Sequence, residues 1–185
     1  MSFVFFFLQP ILIHLWRNCH CNRFQSLVFF RAVISAAFCS FLFGYHVHEK
    51  AILMVILPLT PLALTSKQDA SIFIIMSTIG TYSLFPLLYQ EGETLTKMAL
   101  LLLYFAFSYK ALDTLHSLKH SPLLSKFELF YLSLIVILQA YQILGFQFLT
   151  FFQKYSFLPL LLTSVYCAFA NIYCFLKLYS LNLKA

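Results

Sequence analysis

Phe41-Leu42-Phe43-Gly44-Tyr45-His46-Val47-His48-Glu49-Lys50-Ala51-Ile52-Leu53 passes from one apolar segment into another through a single short polar break. Four proton-handling side chains, His46, His48, Glu49 and Lys50, crowd that break. Each ionisable residue held near hydrocarbon costs roughly 2.5 to 3.5 kcal/mol even on the lenient insertion scale, so such residues at a membrane rim face a polar cavity and mark a ligand path. The plainer reading is a helix-connecting loop in the headgroup layer, where His and Lys are ordinary. From the chemistry of the stretch alone, both readings stand.

The composition on either side of the break fixes the class. Hydrophobic residues make up 62% of the 185 and charged residues 10%, with 23 Phe, and the mean hydropathy is +0.87. A soluble domain is nearer to about half apolar and about a quarter charged. The chain therefore reads as an all-α polytopic membrane protein, with residues 1–185 forming a single transmembrane domain. Its formal charge of +6 fits basic loops beside anionic headgroups. No Lys/Arg run long enough to track nucleic acid occurs, which excludes nucleic acid as a partner and leaves membrane lipid.

Apolar windows approaching the roughly 20 residues that a spanning helix needs recur with short polar gaps. Seven are present: Phe3–Trp16, Leu27–Gly44, Ala51–Thr65, Ala70–Tyr89, Met98–Tyr109, Phe127–Phe151 and Phe157–Leu178. The third and fifth are short, and Pro58 and Pro61 predict a kinked or partly re-entrant third segment. If the seven alternate, one side holds Arg17, Arg23, Lys67, Lys110, Lys119, Lys126, Lys177 and Lys184, against Lys50, Lys97 and Lys154 on the other. The positive-inside rule puts the first group in the cytosol and His46 to Lys50, Gln90 to Lys97 and Gln153 to Ser156 on the luminal or exterior side. Arg31 lies within the second segment, about a turn from its cytosolic end, where it can snorkel.

Met1-Ser2-Phe3-Val4-Phe5-Phe6-Phe7-Leu8 has neither the basic start nor the small-residue cleavage site of a signal peptide, and reads as a chain entering in mid-membrane. Cys19-His20-Cys21 falls in a cytosolic loop without the further ligands zinc needs. Cys39, Cys167 and Cys174 lie in apolar segments as reduced thiols; Cys167 and Cys174 share a helix face. No His-Glu-x-x-His, Gly-x-Ser-x-Gly or phosphate-cradling glycine loop is present, and His46 and His48 point together only on an extended strand, so no metal is expected. Asp69 and Asp113 read as solvated loop carboxylates. Gln139 and Gln142 stand at i, i+3 in the sixth segment and are expected to bond a neighbouring helix.

Phe41 to Leu53, Ala70-Ser71-Ile72-Phe73, Tyr82-Ser83-Leu84-Phe85-Pro86-Leu87-Leu88 and Pro159-Leu160-Leu161-Leu162-Thr163-Ser164-Val165-Tyr166-Cys167-Ala168 carry a resemblance. In order and spacing they are similar to the carboxy-terminal part of the endoplasmic-reticulum glucosyltransferases that use dolichyl-phosphate-glucose to extend the lipid-linked N-glycan precursor. His46 and the Thr-Ser-Val-Tyr-Cys-Ala run resemble the branch adding the second glucose. The resemblance covers residues 27–178, closest from Phe38 to Lys177, with 1–26 matching loosely.

What the resemblance implies is an inverting, metal-independent transfer of glucose by a multi-spanning GT-C type fold. Donor and acceptor would be dolichyl-phosphate-glucose and the lipid-linked oligosaccharide Glc1Man9GlcNAc2-PP-dolichol, handled on the luminal face of the endoplasmic-reticulum membrane. His46, His48, Glu49 and Lys50 then belong to substrate binding, with His48 and Lys50 suited to stabilising the departing phosphate. The family's base is an aspartate in a long first luminal loop that these 185 residues do not contain. The expectation is therefore a carboxy-terminal portion with no catalytic residue and no turnover of its own. Its rival is a non-catalytic membrane subunit that binds isoprenoid lipid or the full-length enzyme.

Overall fold

The computed structural model describes residues 23–44, 48–87, 93–116, 122–148 and 157–184, and every regular element among them is helical. These are α1 (Arg23–Phe43), a 3-10 turn (Glu49–Ile52), α2 (Leu53–Ala63), α3 (Lys67–Ser83), a second 3-10 turn (Phe85–Leu87), α4 (Thr94–His116), α5 (Lys126–Phe148) and α6 (Leu158–Lys184). Six of the seven apolar windows coincide with helices; the first lies outside the described residues. Two stretches, Thr94–His116 and Leu158–Asn182, are long and apolar enough to cross a membrane. At 11 residues α2 is only about 17 Å long, about half of a hydrocarbon core.

Pro58 and Pro61 lie inside α2 without ending it. A proline in a helix interior removes one backbone bond and costs about 3 kcal/mol, which apolar packing on both flanks offsets here. Val55, Ile56, Leu59 and Leu62 of α2 are buried.

The centre of the bundle is α3, which touches α2, α4, α5 and α6. It is buried on nearly every face, from Asp69 to Tyr82. Its sequence permits this because its polar side chains are short and bond back to its own carbonyls: Ser77 and Thr78 donate to Ile74 O at 3.2 and 2.7 Å, and Ser83 donates to Gly80 O at 2.7 Å. Gly80 lets α2 approach closely, since a Cβ there would lie 2.6 Å from Ile56 Cδ1. Small residues at such crossings are how membrane helices gain packing when no hydrophobic drive separates them from lipid.

Cross-helix bonds fix an up-and-down order. Arg31 and Ser35 of α1 reach Asp69 of α3 and Asn182 of α6. His116 at the end of α4 lies 3.0 Å from Ala63 O at the end of α2. Lys177 of α6 meets Glu128 near the start of α5 and Ser71 of α3. All of these gather at one end of the bundle. The turn carrying His48 and Lys50 therefore stands at the opposite end, beside the last turns of α1 and α3.

Candidate functional site

The polar turn is built from a sharp change of backbone. His48 is extended, at φ −68° and ψ 145°, and its carbonyl accepts from Ala51 N–H at 2.8 Å, which opens the 3-10 turn. Ile52, the last residue of that turn, is buried and faces the Gly80 surface of α3 together with Ile56. That apolar anchor holds the turn down, while His48 and Lys50 are exposed. Neither makes a side-chain hydrogen bond or ion pair among the described residues. Tyr45, His46 and Val47 lie outside the described residues, as does the side chain of Glu49. Cys19 and Cys21 also lie outside them, and no three His, Cys, Asp or Glu side chains cluster as metal ligands among those described.

At the opposite end charges are paired internally, and the fold corrects the reading of Asp69, Arg31 and Asp113. Asp69 is not a solvated loop carboxylate: it is 0% exposed, and its Oδ2 accepts from Arg31 Nη2 at 2.6 Å. Arg31 accordingly does not snorkel but turns inward to α3, with a side chain 14% exposed. Asp113 lies within α4 rather than in a loop, and is half-buried. Lys177, counted above on the cytosolic side, pairs with buried Glu128, which also accepts from Tyr173 at 2.8 Å.

Both carboxylates do double duty for one local reason. Ser66 caps α3, its Oγ accepting from Asp69 N–H at 3.2 Å and donating to Asp69 Oδ2 at 2.6 Å. At α5 the complementary bond is made, Glu128 accepting from Ser125 N–H at 2.7 Å. Each is one half of a Ser-x-x-acid capping box, the serine hydroxyl meeting a first-turn N–H at α3 and the carboxylate meeting the cap N–H at α5, with an acid placed to suit each helix dipole. The signal stands in the sequence as Ser66-Lys67-Gln68-Asp69 and Ser125-Lys126-Phe127-Glu128. Reading it would have moved Asp69 from loop to helix start and marked Glu128 as a capping acid.

Of the two glutamines expected to bond a neighbouring helix, Gln142 does so, donating to Thr163 Oγ1 at 2.7 Å and to Pro159 O at 3.3 Å of α6, while Gln139 makes no such bond among the described residues. Cys167 and Cys174 are buried free thiols on the inner face of α6, and Cys39 is exposed on α1.

Comparison with known proteins fits this arrangement. Residues 1–178 match the model of the ALG6, ALG8 glycosyltransferase family. The chain is 46% identical over 151 residues to the dolichyl pyrophosphate Glc1Man9GlcNAc2 alpha-1,3-glucosyltransferase of Bos taurus, covering 82% of this chain and 28% of that one. It is 43% identical over 152 residues to the Mus musculus protein of the same name, covering 82% and 29%. A probable enzyme of that name from Drosophila melanogaster is 38% identical over 176 residues, covering 91% and 32%. The chain thus spans only 28% to 32% of the length of these relatives. No solved structure matches it. With the family model matching nearly its whole length, the chain belongs to the ALG6, ALG8 glycosyltransferase family.

Proposed function

We propose that this chain supplies the donor-lipid side of a glucosyl-transfer site in the endoplasmic-reticulum membrane. Glucose would pass with inversion from dolichyl-phosphate-glucose to Glc1Man9GlcNAc2-PP-dolichol, the acceptor named in its relatives. His46, His48, Glu49 and Lys50 are assigned to substrate binding on the luminal side of a multi-pass topology of about seven spans. The observation that carries the reading is that His48 and Lys50 are exposed on a turn anchored through Ile52, without side-chain partners among the described residues.

In the transfer, the bond between the anomeric carbon and the phosphate oxygen breaks and the phosphate keeps the electron pair. The Lys50 ammonium and a His48 ring N–H suit the oxygens on which that charge develops, and charge-assisted donors of this kind act most strongly where water is excluded. The acceptor hydroxyl must lose its proton to a base. Both aspartates, Asp69 and Asp113, belong to the end of the bundle away from His48, so neither is assigned that role. The eight-to-three asymmetry of basic residues supports the luminal assignment.

A chimaera tests the reading. This chain would replace the matching 151 residues of the Bos taurus relative, and glucose transfer would be followed from labelled dolichyl-phosphate-glucose. Transfer by the unmodified chimaera, falling about a hundredfold on Lys50→Ala or His48→Ala, is the expected result. Undiminished transfer by both variants sinks the site assignment, and an inert parent chimaera sinks the shared activity. The 185-residue chain alone is expected to show no turnover in the same assay.

A further inference from the structure

A pocket of about 420 Å³ opens between the last turns of α1, the end of α3 and the outer half of α6. Its volume far exceeds the about 30 Å³ of one water and falls inside the roughly 300–1,000 Å³ of small-molecule sites. Phe41 and Leu160 give it apolar walls, and its polar lining is Ser83, Thr163, Ser164 and Asn171. No charged side chain lines it.

One buried acceptor in that lining is left unmet. Asn171 Oδ1 is buried with no partner among the described residues. Leaving such an acceptor unmet costs about 1–3 kcal/mol. Ser83 spends its hydroxyl hydrogen on Gly80 O at 2.7 Å, and Thr163 spends its own on Pro159 O at 2.9 Å. Neither hydroxyl has a hydrogen left to give, and Thr163 Oγ1 already accepts from Gln142 Nε2 at 2.7 Å. The need left unmet in the lining is therefore a donor to Asn171 Oδ1. It has no counter-charge for a phosphate or an ammonium, and burying either unpaired is prohibitive.

We propose that this pocket binds a neutral membrane lipid with a free hydroxyl, which donates to Asn171 Oδ1 while its hydrocarbon lies along Phe41 and Leu160. A sterol and a diacylglycerol both present this chemistry. The pocket lies at the same end of the bundle as the His48 turn but is lined by none of that turn's residues, and its occupancy can be read without glucosyl transfer.

Photo-labelling tests it on the purified 185-residue chain in phosphatidylcholine nanodiscs. Three diazirine probes are compared: a sterol, a diacylglycerol and, as control, a phosphatidic acid. The expected result is saturable labelling of the Thr163–Ile172 segment by one alcohol probe, which identifies the source, and not by phosphatidic acid. Asn171→Leu should weaken that labelling about tenfold. Ala168→Phe, which fills the pocket from an exposed position and leaves Asn171 intact, should abolish it, so that a misfolded Asn171 variant does not decide the matter. Alcohol labelling no greater than that by phosphatidic acid overturns the proposal, as does labelling that neither substitution changes.

Discussion

Tyr131 of α5 and Tyr166 of α6 hold each other at both ends. Their rings stack with centroids 4.6 Å apart and planes 7° from parallel, and each hydroxyl donates to the other's backbone carbonyl at 2.6 Å. Tyr82 of α3 meets Tyr166 edge-on at 6.3 Å, so one stack sets the register of three helices. Tyr131→Phe and Tyr166→Phe should each lower stability by about 1 kcal/mol and should add in the double variant, because each removes one separate bond. The two alanine variants should instead fall short of additivity by about 0.5–1.5 kcal/mol, because they share one stack. Thermal unfolding in detergent reads both cycles; neutral Phe variants or additive Ala variants would contradict the clasp.

The Arg31–Asp69 pair predicts a sign reversal between single and double substitutions. Removing one partner of a buried pair strands the other charge and costs about 3–5 kcal/mol, whereas replacing both with apolar residues of like size is close to neutral. Asp69→Leu alone should therefore be severely destabilising, and Arg31→Met with Asp69→Leu much less so. Unfolding midpoints of the three variants decide it. A double variant as unstable as the worse single one would mean that the pair does more than balance charge.

Why these pairs escaped the sequence reading is a matter of range. Helix positions were legible, because long apolar windows bounded by polar residues have one stable outcome in hydrocarbon. Arg31 and Asp69 are 38 residues apart and Lys177 and Glu128 are 49 apart, and nothing local says which helix faces will meet. The polar run Lys67-Gln68-Asp69 after two prolines looks like a loop until Ser66 is recognised as a cap. At the His48 turn the reverse holds: the sequence marked His48 and Lys50 as polar and set apart, and both are exposed in the fold.

Gly80 offers a graded test of the contact between α2 and α3. The atom a Cβ would strike is Ile56 Cδ1, the far end of a side chain that can rotate away. Gly80→Ala should cost less than about 1 kcal/mol, while Gly80→Leu, with three further carbons to fit, should cost about 1–3 kcal/mol. Because Ile52 lines the same surface, the Leu variant should also raise proteolysis at the His48 turn. Equal stability of the two variants would refute the close approach.

Topology is open to direct measurement. A glycosylation acceptor beside Gly92 should be modified, and one between His116 and Pro122 should not, given the up-and-down order of the helices and the basic asymmetry. The same report from both sites would break the alternation on which the luminal assignment of His48 rests.

The two capping boxes differ in when their counter-charges are made. Arg31 precedes Asp69 along the chain, so α3 enters the membrane with its cation already waiting. Glu128 must wait for Lys177, 49 residues downstream, which is roughly 2 to 10 s of synthesis at ordinary ribosome speeds. Over that interval the buried end of α5 carries an acid satisfied only by its own cap, in a medium hostile to lone charge. The pairing of α1 with α3 through Arg31 and Asp69 is therefore available early in synthesis, and that of α5 with α6 through Glu128 and Lys177 only late.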